Sequence, residues 1–216
     1  MSLLELSFPI MAVVVLFIAY LGSGKQLTGM IVLGLWGIVA CMIASTGFLE
    51  ESDGFPPRVA VILLPTIVWL IVMIRRTRPD QMKLSFLTGI HLIRIPVEIG
   101  LLMLFRQTLI PEAMTFEGWN FDIVMGITAI PMLWIFLQRA TLPIKLLRAW
   151  NLLGIILLTI IVITAILSAP GPQQLINFDQ PNVAILRVPF ILLPSVIVPV
   201  VYYAHFVALK RLNSLS

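Results

Sequence analysis

The sequence predicts an all-α integral membrane protein with seven transmembrane helices, and two observations carry that expectation. Apolar residues make up 60% of the 216-residue chain and charged residues 11%, where a soluble domain carries about 25% charged residues. The apolar residues also fall in continuous runs close to the roughly 20 residues that cross about 30 Å of hydrocarbon as a helix. Porin-type strands would alternate in polarity, and hydrocarbon leaves helices or closed barrels as the only backbones that satisfy their own hydrogen bonds. Disorder, a coiled coil, a collagen repeat and a disulfide scaffold are excluded by sparse charge and glycine, the lack of a sustained heptad and the single Cys41, which reads as mid-helix core filler.

Taken in order, the spans are expected at 6–22, 28–47, 57–74, 84–105, 121–138, 149–168 and 187–209. The first is preceded by Glu5 and by no lysine or arginine, so it reads as a retained helix and not as a signal peptide. Short connections leave no room for a soluble domain, and residues 1–216 read as one seven-helix membrane domain. Lys25, Arg75, Arg76, Arg78, Lys83, Arg139, Lys145, Arg148, Lys210 and Arg211 fall on one side of the alternating loops. Only Arg58, Arg106 and Arg187 fall on the other, among Glu5, Glu50, Glu51, Asp53, Glu112, Glu117, Asp122 and Asp179. The positive-inside rule then places the N-terminus outside and the C-terminus in the cytoplasm, in a plasma or inner membrane. The same asymmetry accounts for the pI of about 9.6, so no nucleic-acid partner is implied.

An internal repeat is visible between the third and seventh spans. Arg58-Val59-Ala60-Val61-Ile62-Leu63-Leu64-Pro65-Thr66 and Arg187-Val188-Pro189-Phe190-Ile191-Leu192-Leu193-Pro194-Ser195 agree at six of nine positions. Copies at 1–78 and 119–211 joined by an inverting helix at 84–105 would give a 3+1+3 parallel repeat. That outline is shared with small sugar transporters built from parallel repeats, although the only proline-glutamine pair, Pro172-Gln173, falls in a loop. Seven-helix retinal proteins also share it, but the last span has no lysine for a Schiff base, which disfavours retinal.

The fourth span carries the chemistry. In His91-Leu92-Ile93-Arg94-Ile95-Pro96-Val97-Glu98 the three ionisable residues fall within about 60° of arc on a helix, with Arg94 and Glu98 at i, i+4. Counted from Lys83 they lie about 12, 16 and 22 Å deep. At such depth an ionisable group costs at least about 2.5 to 3.5 kcal/mol unless it faces the interior, so His91, Arg94 and Glu98 are the candidate substrate or proton site. The rival reading is a structural Arg94–Glu98 pair.

Elsewhere, Arg58 and Arg187 read as headgroup anchors or, facing inward, as an outer gate for an anionic solute. Pro96, Pro189, Pro194 and Pro199 are candidate hinges, with the last span as the moving element. His205, following Tyr202 and Tyr203, reads as part of an interfacial aromatic belt; its alternative role is to pair with His91 as axial ligands of a b-type haem. The outer segment 112–122 is expected to fold back at the interface, with Asn120 and Asp122 capping the next helix. No GxSxG, HExxH, P-loop or dinucleotide motif occurs, and no metal site is indicated.

These features point to a small-solute transporter or ligand-binding membrane protein for a small polar or anionic solute. The alternatives are a membrane enzyme acting on a lipid or polyprenyl substrate from His91, Glu98, Asn151 and Asp122, or a non-catalytic subunit of a membrane complex. The enzyme reading is weakened by an expected placement of Asp122 on the opposite face from His91. Partners beyond the lipid bilayer would be a second copy or a membrane subunit.

Overall fold

The computed structural model describes residues 2–50, 54, 56–138 and 143–215, and among these the chain is helical with no strand. Eight α-helices follow one another: α1 (Leu3–Gly22), α2 (Leu27–Ser45), α3 (Ala60–Arg76), α4 (Leu84–Ile90), α5 (Arg94–Arg106), α6 (Ile123–Leu137), α7 (Ile144–Ser168) and α8 (Val198–Asn213). A 3-10 turn, His91–Ile93, joins α4 to α5, and a π-helical turn, Leu193–Ile197, leads into α8. Five continuous stretches are long and apolar enough to cross a membrane: α1, α2, Leu84–Arg106, α7 and Leu193–Asn213. At 17 and 15 residues, α3 and α6 are shorter than these five stretches. Glu51, Asp53 and Arg139 lie outside the described residues.

Local sequence explains the helix ends. Ser2 and Glu5 form a reciprocal capping box at α1, with Glu5 N donating to Ser2 Oγ at 3.2 Å and Ser2 N to Glu5 Oε2 at 2.7 Å, which satisfies two otherwise orphaned amides. The last turn of α3 is closed from outside: Lys210 Nζ donates to the carbonyls of Ile74, Arg75 and Thr77 at 3.0, 3.4 and 2.9 Å. A cation on the exposed carbonyls of a helix C-terminus satisfies both their hydrogen bonding and the helix dipole.

Such contacts define two ends of the bundle. One end gathers the C-termini of α1, α3 and α8 and the start of α4, tied by Lys83 N donating to Gly22 O at 2.9 Å and by Lys210. The other gathers the ends of α5 and α7 and the start of α6. There Val183 N donates to Leu109 O at 3.0 Å, Asn182 Nδ2 to Ala165 O at 3.1 Å, and Gln180 Nε2 to Phe105 O at 3.1 Å.

The centre of the bundle is not where a 3+1+3 plan puts it. Of the windows long enough to span, Leu84–Arg106 is 56% buried and Leu193–Asn213 is 61% buried, against 28% for α1, α2 and α7. The fourth stretch is therefore an interior element packed on α1, α6 and α8, not a peripheral linker. The outer helices turn large apolar side chains such as Ile10, Phe17, Leu64, Trp134 and Ile156 outward, as a bundle in lipid must.

The prolines do different things from one another. Pro96 is the third residue of α5, just after the 3-10 turn; lacking an amide hydrogen, it leaves the carbonyl four residues back without its helical donor. Pro189 lies before the helix, Pro194 sits in the π turn and Pro199 occupies the first turn of α8. The final helical stretch thus starts at Leu193, not at Arg187, and its break is the π turn, the usual alternative to a proline kink. The sequence-related segments 58–66 and 187–195 differ in backbone, since Pro65 is inside an unbroken α-helix. They do share one local bond: Thr66 Oγ1 donates to Ile62 O and Ser195 Oγ to Ile191 O, each at 2.8 Å.

Candidate functional site

The helix break of the fourth stretch faces α6, α7 and α8, and a cluster of polar side chains is assembled there. His91, Arg94, Glu98, Asn120, Asp122, Asn151 and His205 are each at most 5% exposed. Two glycines make the close approach possible. A Cβ at Gly126 of α6 would stand 2.8 Å from Ile95 Cγ1 and 3.3 Å from Arg94 Cβ, and one at Gly154 of α7 would collide with the His205 ring.

Arg94 is the hub. Its Nη1 donates to Asp122 Oδ1, with side-chain exposures of 3% and 7%, and its Nη2 lies 2.9 Å from His205 Nε2. A guanidinium has donors only, so Nε2 must be the acceptor. His205 Nδ1 therefore carries the hydrogen and donates to Asn151 Oδ1 at 2.9 Å, while Asn151 Nδ2 donates to Leu147 O at 2.8 Å. The chain of bonds fixes His205 as the neutral Nδ1–H tautomer, the kind of orientation control a carboxamide or carboxylate exerts on an imidazole.

Glu98 has a different partner. Asn120 Nδ2 donates to Glu98 Oε1 at 2.7 Å and Oε2 at 2.8 Å, and approaches Met114 O at 3.1 Å. Asn120 Oδ1 in turn accepts from Asp122 N at 3.0 Å. Among the described residues no hydrogen bond or salt bridge joins Arg94 to Glu98, so the expected i, i+4 pair is replaced by a pair across helices. Arginine preceding glutamate is the less favourable order along a helix, and Asp122 offers Arg94 a partner on the facing element. The cluster thus holds one guanidinium and two carboxyl groups, and only one carboxyl has a cationic partner.

His91 completes the set. Its ring stacks on His205 with centroids 3.9 Å apart and planes at 25°, and meets the Trp150 ring edge-on at 5.1 Å and 81°. Trp150 is held by its Nε1 donating to Thr128 Oγ1 at 2.9 Å. Among the described residues neither nitrogen of His91 has a protein partner, nor does Arg94 Nε. In a buried setting such orphans are uncommon and call for an explanation.

The geometry corrects several sequence expectations. His205 is not in an interfacial belt; it is fully buried, as is Tyr203, whose hydroxyl is 2.8 Å from Thr77 Oγ1. Asp122 is on the same side as His91 and in the same cluster, because Arg94 reaches from one to the neighbourhood of the other. As the residue before α6, Asp122 makes no side-chain cap, and its carboxylate serves Arg94 instead. The segment 112–122 sends Met114, Thr115 and Asn120 inward and leaves Trp119 and Phe121 exposed.

A bis-histidine haem does not fit. Axial imidazoles lie on opposite faces of a porphyrin, each giving a nitrogen to iron, whereas these two rings stack directly and both nitrogens of His205 are engaged. Nor do the described residues hold a group of three or more potential metal ligands. Arg58 Nη1 donates to Phe48 O at 3.1 Å with its guanidinium 4.7 Å from the Phe48 ring, and the exposed Arg187 pairs with Glu50 at 2.9 Å.

Residues 58–213 match the family model described as Domain of unknown function (DUF8737). The chain belongs to that family. Every residue of the cluster lies within the DUF8737 stretch, which starts just before α3, so α1 and α2 precede it. No curated protein matches the chain, and no solved structure does.

Proposed function

We propose that this DUF8737 protein crosses the membrane seven times, N-terminus outside and C-terminus in the cytoplasm, and moves a small polar solute with a proton carried by Glu98. Support for seven crossings comes from the alternation of helix ends between the two ends of the bundle, with Lys25, Arg75, Arg76, Lys83, Lys210 and Arg211 at one of them. On that reading α3 and α6 cross with their flanking turns, such as the one at 57–59.

The observation that carries the function is the imbalance of the buried cluster. Asp122 neutralises Arg94, and among the described residues Glu98 is hydrogen-bonded only by the neutral amide of Asn120. A lone carboxylate in hydrocarbon is costly, and binding one proton returns the cluster to neutrality. His91, about 10 Å back along the same stretch and without a protein partner at either ring nitrogen among the described residues, is the group on our reading that relays that proton. A helix break beside the site and a π turn in the packed partner supply the places where two halves of the bundle can move. The enzyme reading gains His91, Glu98, Asn151 and Asp122 in one cluster, but the described cluster contains no serine or cysteine nucleophile.

The test is solid-supported-membrane electrophysiology on proteoliposomes, with a panel of sugars, amino acids and small carboxylates and with imposed pH gradients. A solute-evoked current that follows the pH gradient and is lost in Glu98→Gln supports the assignment. Currents that are the same in wild type and Glu98→Gln contradict it.

A further inference from the structure

We infer that the groove between α1 and α2 is a binding site for one anionic phospholipid, with the acyl chain along the groove and the phosphate held by Lys25 and Lys83. The groove has a volume of about 800 Å³ and is walled by Pro9, Leu16, Leu27, Gly34 and Ile38, with Leu192 and Val196 from the region of the π turn as its floor. That size falls within the usual 300–1,000 Å³ of ligand pockets. Almost every wall is hydrocarbon, so a polar solute has nothing to bond to there, whereas an acyl chain does.

The charges at the two ends select the occupant. The turn between α1 and α2, which closes the groove beyond Tyr20 and Leu27, carries the exposed Lys25. Lys83 is also exposed, with its Nζ 5.7 Å from the centroid of the Phe86 ring, and its backbone amide is bonded at 2.9 Å to the carbonyl of Gly22, the last residue of α1 before that turn. Lys25 itself adopts a left-handed backbone, φ +66°, which a non-glycine residue holds at a cost. The turn is fixed around it by Lys25 N donating to Tyr20 O at 3.1 Å and Leu27 N to Lys25 O at 2.8 Å. At the far end the first turn of α1 carries Glu5, which repels a phosphate. One end of an apolar slot is therefore basic and the other acidic, the complement of a lipid with a single anionic head. The floor gives the site a route to the centre. Gly37 lets α2 lie so close to the π turn that an added Cβ would stand 2.6 Å from Val196 Cγ2, and the same stretch continues to His205.

The experiment places a bimane fluorophore on Ile31→Cys, within the groove, in a Cys41→Ala background that removes the one native cysteine. Protein in phosphatidylcholine nanodiscs is titrated with phosphatidylglycerol or phosphatidylcholine brominated on the acyl chains. Half-maximal quenching is expected at a lower mole fraction for the brominated phosphatidylglycerol, by roughly fivefold for each lysine engaged. Lys25→Gln with Lys83→Gln removes the preference while quenching by the phosphatidylcholine is retained, which shows the groove intact. Arg211→Gln, at the same end of the bundle, leaves the preference unchanged. Three results overturn the inference: equal quenching by both lipids in the parent, no quenching by either because protein covers the groove, or the same loss of preference in Arg211→Gln.

Discussion

Replacing Asp122 by alanine leaves the Arg94 guanidinium without its counter-ion among groups that are almost inaccessible to solvent, 3% and 7% exposed in the pair itself. Removing one partner of a buried pair costs about 3–5 kcal/mol, because the remaining charge is neither solvated nor compensated. Removing both with apolar residues of similar volume, Arg94→Met with Asp122→Leu, lifts that charge. What remains is the donor lost by His205 Nε2, about 1–3 kcal/mol for an unsatisfied buried group. The double variant is therefore expected to be more stable than Asp122→Ala by roughly 2 kcal/mol, the difference of those ranges. Denaturant unfolding in a fixed detergent, followed by tryptophan fluorescence, measures all the variants in one cycle. Additive losses, with the double variant less stable than either single, would refute the view that Arg94 and Asp122 act as a buried unit.

Other parts of the account are open to similar checks. Gly154→Ala drives a methyl group into the His205 ring and is expected to cost about 1–3 kcal/mol, seen as a lower unfolding midpoint, whereas Gly34→Ala, whose nearest neighbour is 3.5 Å away, leaves the midpoint nearly unchanged. Lys210→Met strips three carbonyls at the end of α3 of their donor; with about 1.5–3 kcal/mol for a bond to a charged group, faster hydrogen exchange is expected near 74–77 and not in α1. Nitrogen-15 spectra of labelled histidine are expected to show His205 as the Nδ1–H tautomer, and Asn151→Leu to release it. An imidazolium in the wild-type spectrum would contradict the bonding pattern.

The sequence exposed part of this arrangement and hid the rest for identifiable reasons. Helical periodicity places His91, Arg94 and Glu98 on one face, and the cost of ionisable groups in hydrocarbon turns that face inward; the structure buries all three. Periodicity within one helix says nothing about what lies across from it. The partner of Arg94 is Asp122, 28 residues on, and the partner of Glu98 is Asn120, 22 residues on, both on a segment whose composition also suits a surface loop. His205 was obscured by its neighbours, since a Tyr-Tyr pair near a helix end is an interfacial signal. Asn151 was the better clue: an amide in an apolar helix needs a partner on another helix. The break at 91–93 was signalled by Pro96, and the π turn at 193–197 by Pro194, but the proline pattern could not tell a kink from a helix that simply starts later. The similarity of 58–66 to 187–195 keeps a hydroxyl at Thr66 and Ser195, each of which bonds back four residues, but it gave no sign that only one copy is a regular helix.

The most direct measurement of the central claim is infrared difference spectroscopy on the reconstituted protein under an imposed proton gradient. The account predicts a protonated-carboxyl C=O band that responds to the gradient and vanishes in Glu98→Gln, with the band of the Asp122 carboxylate unchanged. A spectrum indifferent to both the gradient and the substitution would mean that Glu98 is sealed from protons and that the cluster only holds the helices together.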